Sequence, residues 1–141
     1  MTNVVVDASV AAKWFLPDEA LRVEAMHLLS QYADGKVRLI APDLFWSEVG
    51  SILWKAARVG RCSWQAASAA ISSIRERNLP AVPSAELIVE AFAIARKFNR
   101  TVYDSLYVAL AVALDTHLIT ADERLANSLA AYLPVKWLGA V

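Results

Sequence analysis

Four acidic side chains occupy positions that a solvated surface does not explain: Asp7, Glu48, Asp104 and Asp122. Asp7 directly follows Val4-Val5-Val6, a β-branched run that predicts a buried strand of a parallel sheet. Ligands of open parallel sheets bind beyond the carboxyl ends of strands, so this is a favoured place for chemistry. Capping of a short following helix is an equal alternative for Asp7. Glu48 falls in a helix where its neighbours at helical spacing are Leu44, Phe45, Ile52 and, one step further, Ala56. A carboxylate in such an apolar stripe needs compensation, either from a buried Arg or from a metal or catalytic role. The second reading is preferred. Asp104 heads a helix with Tyr107, Val108 and Ala111 on its inward face, and taken alone it reads as an N-cap. Asp122 follows a strand over His117–Thr120, inside Thr120-Ala121-Asp122-Glu123, which matches a capping box with Thr120 as cap and Glu123 reaching back.

The four acquire meaning together. If the strands ending before Asp7 and Asp122 are central and parallel, both carboxylates emerge at one edge of the sheet. A helix start carrying Asp104 and an inward-pointing Glu48 reach the same edge. Two full charges about 5 Å apart repel by roughly 3 kcal/mol at an effective dielectric near 20, and a cluster multiplies this. Protons or a cation must neutralise it. Donors that are all oxygen select a hard cation, Mg²⁺ or Mn²⁺. Zinc is disfavoured, because Cys62 is the only cysteine and His27 and His117 form no nearby pair.

The elements that must position these groups alternate along the chain. Strands are expected at Val4–Val6, Arg38–Ile40, weakly at Leu79–Pro83, at His117–Thr120 and at Val135–Leu138. Helices are expected over about Ser9–Leu16, Glu19–Tyr32, Asp43–Val59, Ser63–Arg77, Ala85–Phe98, Asp104–Leu114 and Asp122–Tyr132. Asp43, Ser63 and Ser84 stand at helix starts and Gly35 and Gly60 at helix ends. The alternation predicts an α/β fold, a three-layer α/β/α sandwich around a mostly parallel sheet. The 141 residues suit a single domain over 1–141.

Composition bounds the function. Fourteen Lys and Arg balance fourteen Asp and Glu, which excludes a polycation that grips nucleic acid by charge alone. Hydrophobic residues reach 57% against 20% charged, which excludes disorder and leaves apolar surface in need of a partner. The start of the chain has no cationic leader, and the apolar run Leu106–Leu114 is too short to span a bilayer, so a cytoplasmic protein without a membrane segment is expected. No glycine-rich phosphate loop occurs among four glycines. An aspartate phosphatase wants a second Asp two residues after the first, where this chain has Ser9.

Four segments carry a family likeness: Val5-Val6-Asp7-Ala8-Ser9, Ser47-Glu48-Val49, Tyr103-Asp104-Ser105-Leu106-Tyr107-Val108-Ala109-Leu110-Ala111, and Leu118-Ile119-Thr120-Ala121-Asp122. In this order and at these separations the chain resembles the PIN-domain nucleases, and among them the VapC-type toxins of toxin–antitoxin pairs. The resemblance implies a PIN-like fold and an endoribonuclease dependent on Mg²⁺, with Mn²⁺ as substitute. It assigns the catalytic and metal-binding site to Asp7, Glu48, Asp104 and Asp122, with Ser9 and Thr120 as supporting polar positions. It also implies an RNA substrate, a homodimer, and a small antitoxin that plugs the cleft. Glu123-Arg124-Leu125 departs from relatives in which an aromatic follows the last Asp, which touches the substrate edge of the pocket and not the acidic set.

Two further features bear on partners. Lys13, Lys55, Arg58, Arg61, Arg100 and Arg124 are candidates for a basic rim along the RNA backbone. On the long helix, Trp46, Gly50, Trp54 and Ala57 line one side while Phe45, Val49, Ile52 and Ala56 line another, so one side is core and the other is open to an interface. Trp46 and Trp54 are the candidate anchors of an antitoxin groove, with Trp64, Ile71 and Ile74 of the next helix as its opposite wall. The competing reading is a non-catalytic interaction subunit of the same fold, whose acids only cap helices and pair with Arg.

Overall fold

The structure is a computed structural model that describes residues 2–141. Its elements run β1 (Thr2–Val6), α1 (Ala8–Ala12), α2 (Arg22–Ala33), β2 (Val37–Pro42), α3 (Leu44–Arg58), α4 (Trp64–Glu76) and β3 (Ala81–Val82). There follow α5 (Ser84–Phe98), α6 (Val102–Ala113), β4 (Leu118–Thr120), α7 (Glu123–Leu129), β5 (Val135–Trp137) and a closing 3₁₀ turn at Leu138–Ala140.

The five strands form one sheet in the order β3-β2-β1-β4-β5, and every pair is parallel. This is the expected α/β architecture. The β-branched run of β1 is central, with Val4 opposite Leu39 of β2, and Val5 and Val6 opposite Leu118 and Ile119 of β4. Parallel strands need long crossovers, and these are right-handed by the twist of strand and helix. The chain steps outward from β1 to β2 to β3 and then returns to β4 on the other side of β1. Right-handed connections therefore put α1 to α4 on one face and α5 to α7 on the other. The β1/β4 boundary, where the direction of winding reverses, is the topological switch point.

The core forms because both faces of the sheet are covered. Val5, Val6, Leu39, Leu118 and Ile119 of the strands meet Phe45, Leu110 and Leu125 of the helices, all buried. α6 is buried continuously from Ser105 to Ala111, which its small and aliphatic side chains permit, and it packs on α5, β1 and β2. Ser105 is accommodated there because its hydroxyl donates to the Thr101 carbonyl at 2.8 Å.

Several local expectations change. α1 ends at Ala12, and α2 begins only at Arg22, after Leu21 in a left-handed conformation (φ 62°). Gly35 and Gly60 close their helices with φ of 74° and 82°, the conformation that favours glycine. Ser63 caps α4 by accepting from the Ala66 amide at 3.0 Å. Asp43, expected to cap α3, precedes that helix but makes no capping bond to it. Its carboxylate instead accepts from the Ser84 amide at 3.2 Å and from the Ser84 hydroxyl, so it ties the end of β2 to the start of α5. The local pattern is the same for both roles, and only the β2–β3 pairing brings Ser84 within reach.

Replacing Asp43 with Ala removes a charge-assisted bond to the first turn of α5. A loss of about 1 kcal/mol of unfolding free energy is expected, measured by urea denaturation. An unchanged midpoint would show that the Asp43–Ser84 link contributes nothing.

Candidate active site

Asp7 ends β1 in an extended conformation and caps α1, as one of its two sequence readings required. Its Oδ1 accepts from the Ser9 amide at 3.2 Å, and its Oδ2 accepts from the Thr120 hydroxyl at 2.8 Å. Thr120 is the last residue of β4 and has no exposed surface. The same Thr120 oxygen accepts from the Asp122 amide at 3.1 Å, and the Ala121 amide donates to the Ser9 hydroxyl at 3.3 Å. Two hydrogen bonds thus cross between the carboxyl ends of β1 and β4 at the switch point, and two local ones brace them on either side. The capping-box expectation is overturned here. Asp122, not Thr120, caps α7, accepting from the Leu125 amide at 3.1 Å, because the Thr120 side chain is turned across the sheet to Asp7.

Glu48 sits in the middle of α3 and is half-buried. The Tyr107 hydroxyl, on α6, donates to its Oε1 at 2.5 Å. Asp104 lies one turn earlier on α6, yet it is not the cap of that helix. Thr101 holds that role, accepting from the Asp104 amide at 3.0 Å. The exposed N-terminal turn of α6 frees the Asp104 side chain, and Arg100 reaches it at 3.5 Å.

The electrostatics show which of these groups share a field. Burial is the main cause that raises the Asp7 carboxyl above the ordinary carboxylate range; the Thr120 and Ser9 hydrogen bonds oppose it, and the Asp104 charge adds to it. Burial likewise raises Glu48, against the Tyr107 hydrogen bond and with the charges of Asp7 and Asp104. Tyr107 is itself held far above the ordinary phenol range, first by burial, then by the charge of Asp7 and by its bond and proximity to Glu48. It therefore stays protonated and can only donate to Glu48. Glu48 thus lies in the field of Asp7 and Asp104, Asp7 lies in that of Asp104, and no cation contributes to either shift. Asp122 stands at the next strand end, joined to Asp7 through Thr120, with its carboxylate exposed and directed at its own helix.

Among the described residues, no three His, Cys, Asp or Glu side chains are grouped so that they could hold a metal ion together, so the four expected carboxylates do not meet as one ligand set. The donor set nevertheless suits a hard divalent ion. Its donors are all oxygen, the carboxyls of Asp7 and Glu48 are raised above their ordinary range first by burial, and Mg²⁺ commonly uses only one or two carboxylates while keeping several waters.

The other sequence candidates are dispersed. Trp46 is half-buried and lines a hollow of about 580 Å³ with Ile71, Arg75, Asn78 and Leu79 between α3 and α4. Trp54 is 54% exposed, outside that lining, with the Arg58 guanidinium 5.0 Å above its ring. Of the proposed opposite wall, Ile71 takes part, Ile74 is in the core and Trp64 is exposed. Lys13 is not a solvated rim residue: it is buried and 3.7 Å from Glu19, which also meets Arg61 at 3.7 Å. Sequence reasoning missed Tyr107, placing it only on an inward helix face. Its signal was one phenolic oxygen one turn after Asp104, in the buried part of an Ala- and Leu-rich helix.

The fold has known counterparts. The family model of the PIN domain matches residues 4–128, and the chain belongs to the PIN-domain family. Within that family it is similar to Ribonuclease VapC3 of Pyrobaculum aerophilum, with 37% identity over 127 residues that cover 89% of this chain and 93% of the relative. The crystal structure of PAE2754 from Pyrobaculum aerophilum matches with a TM-score of 0.69 at 24% identity, covering 99% of this chain and 85% of that one. VapBC2 from Rickettsia felis, crystallised bound to a DNA fragment from their promoter, matches with a TM-score of 0.64 at 10% identity, covering 96% and 98%.

Two predictions follow from the electrostatics. Tyr107→Phe keeps the ring but leaves Glu48 without its donor; catalytic turnover should fall about tenfold or more while the fold persists, as read by steady-state kinetics and circular dichroism. Equal turnover would remove Tyr107 from the site. Because the folded-state carboxyls of Asp7 and Glu48 are raised, the metal-free protein loses stability as pH rises from the unfolded values of 3.8 and 4.5 through the raised folded ones. Glu48→Gln, which can still accept from Tyr107, should then melt at a higher temperature than the wild type at pH 7, with the difference vanishing below about pH 4. A lower melting temperature at pH 7 would reverse the sign of the argument.

Proposed function

We propose that this chain is the toxin of a toxin–antitoxin pair, a single domain over residues 1–141 that hydrolyses RNA phosphodiester bonds with Mg²⁺, or Mn²⁺ in its place, held by Asp7, Glu48, Asp104 and Asp122. The observation that carries the reading is the convergence of acidic groups at the carboxyl end of β1, where Asp7 is tied across to Thr120 of β4, Glu48 is held by Tyr107, and the charge of Asp104 reaches both carboxyls. Membership of the PIN family and the similarity to a VapC ribonuclease support it.

The chain's own residues have separable tasks. Thr120 and the Ser9 amide fix both oxygens of Asp7, so its orientation is set before any ligand arrives. Tyr107 fixes Glu48 from the other side and keeps its own proton. Preorganised carboxylates lose little entropy on binding and need no rearrangement during reaction. When bound, a divalent cation supplies charge compensation for the phosphate and acidifies the attacking water. A carboxylate of raised pKa is suited to accept the proton that this water gives up. The water oxygen would bond to phosphorus in line as the bond to the ribose oxygen breaks, and the proton taken by the carboxylate would be returned to that departing oxygen. Arg100, beside Asp104, is placed to meet a phosphate oxygen that approaches the cluster.

Apolar surface supports two partners. Val89 and Phe92 of α5 are exposed, as are Val112 and Tyr132, and this face suits a second copy of the chain in a homodimer. The hollow lined by Trp46 suits a segment of a small antitoxin; Trp54 is a rim contact in that arrangement. Among the described residues no helix is long and apolar enough to cross a membrane, and a cytoplasmic site of action fits an RNA substrate. The Arg100–Asp104 pair is the one feature that favours the competing reading, an interaction subunit whose acids are structural.

Cleavage separates the two. The purified chain should cut RNA in Mg²⁺ or Mn²⁺ and stop in EDTA, and Asp7→Asn or Asp104→Asn should lower the rate at least a hundredfold at unchanged melting cooperativity, which is roughly 3 kcal/mol of transition-state stabilisation. Cleavage that persists in EDTA, or in both variants, would leave the interaction subunit as the better account.

A further inference from the structure

Beside the acidic cluster lies a second feature that phosphodiester hydrolysis alone does not use. Leu44, Ser47, Glu48, Ser51 and Ile52 of α3, with Tyr103 of α6, line a hollow of about 400 Å³. That volume is at the small end of the range of ligand pockets, roughly 300–1,000 Å³. Tyr103 is 63% exposed, although it is large and aromatic and stands immediately before Asp104 in the chain. Ser47 and Ser51 are exposed one helical turn apart and offer hydroxyls that both donate and accept.

We propose that this hollow is a nucleobase subsite: the base next to the scissile phosphate stacks on Tyr103 and presents its edge to Ser47 and Ser51. The inference rests on the ribonuclease reading and adds to it where the substrate is held. Three observations carry it. Glu48 belongs both to the hollow and to the acidic cluster, so a phosphate bound at the cluster places its neighbouring base within reach of the hollow. No Lys or Arg lines the hollow and a carboxylate does, so it suits an uncharged planar group rather than a second phosphate. The lining pairs an aromatic ring and aliphatic side chains with two hydroxyls, the combination that binds an unstacked base by its face and reads it at its edge. Such recognition requires a splayed nucleotide, so the substrate is single-stranded or looped RNA, not a continuous duplex.

The test uses the full chain carrying Asp7→Asn to prevent cleavage, with eight-nucleotide single-stranded RNAs that each hold one 2-aminopurine. Affinity is read by anisotropy and stacking by 2-aminopurine quenching. Adding Tyr103→Ala should weaken binding between about fivefold and a hundredfold and abolish the quenching, while Tyr103→Phe keeps both. Tyr103 is exposed, so melting curves of both variants should match the parent and exclude misfolding. Unchanged affinity and quenching in Tyr103→Ala overturn the subsite while leaving the ribonuclease reading intact. So does a Tyr103→Ala chain that loses affinity for the cognate antitoxin but not for RNA, since the hollow is then a protein groove. A parent chain that binds none of these RNAs overturns the subsite too, and cleavage by the wild type then tells whether the ribonuclease reading falls with it.

Discussion

The constraint on which this molecule turns is the burial of two carboxyls, Asp7 and Glu48, beside a third acidic group, Asp104. Asp7 lies in the field of Asp104, Glu48 in that of both, and no Lys or Arg is among the groups that set either carboxyl. A fold selected for stability alone would replace such carboxylates or pair them. Here the surroundings do the opposite. Thr120, the Ser9 amide and Tyr107 each hold a carboxylate in place with a hydrogen bond that lowers its pKa, yet burial outweighs them. The outcome is a site rigid in geometry and electrostatically unsatisfied, the state in which binding a cation does most to lower the free energy.

The sheet explains why the site lies where it does. β1 is flanked by β2 on one side and β4 on the other, and the reversal of winding between them opens the edge where Asp7 and Asp122 emerge. α3 and α6, delivered from opposite faces, bring Glu48 and Asp104 to that edge and meet through the Tyr107–Glu48 bond. Burial of α6 over most of its girth gives this bond a firm base. The hollow next to Glu48 is a by-product of the same convergence, since its walls are again α3 and the start of α6.

Much of this was legible in the residues. The run Val4–Val6 and the alternation of strands and helices sufficed for a parallel α/β sheet, because buried parallel strands leave a strong local signal. Asp7 and Glu48 stood out for the same reason, one closing such a run and the other interrupting an apolar helical stripe. What escaped depended on contacts distant in sequence. Thr120 and Glu123 satisfy the capping-box pattern, and only the neighbouring β1 reveals that the Thr120 hydroxyl is committed to Asp7. Asp43 looks like the cap of its own helix until the sheet brings Ser84 alongside. Tyr107 reads as core in an Ala- and Leu-rich helix, since its one polar atom carries no periodicity. Arg100 stands four residues before Asp104, a spacing that fits a general basic rim equally well, and only the helix start shows it to be this carboxylate's own partner.

The most direct measurement is calorimetric titration of Mn²⁺ into the metal-free chain at mildly acidic pH, repeated in two buffers of different ionisation enthalpy. Carboxyls that burial and a neighbouring acidic charge raise above their ordinary range must release protons when an ion takes the protons' place. The account predicts binding with net proton release that shrinks as the pH is raised toward neutrality. Absence of Mn²⁺ binding, or binding with no proton release at any pH, would contradict it.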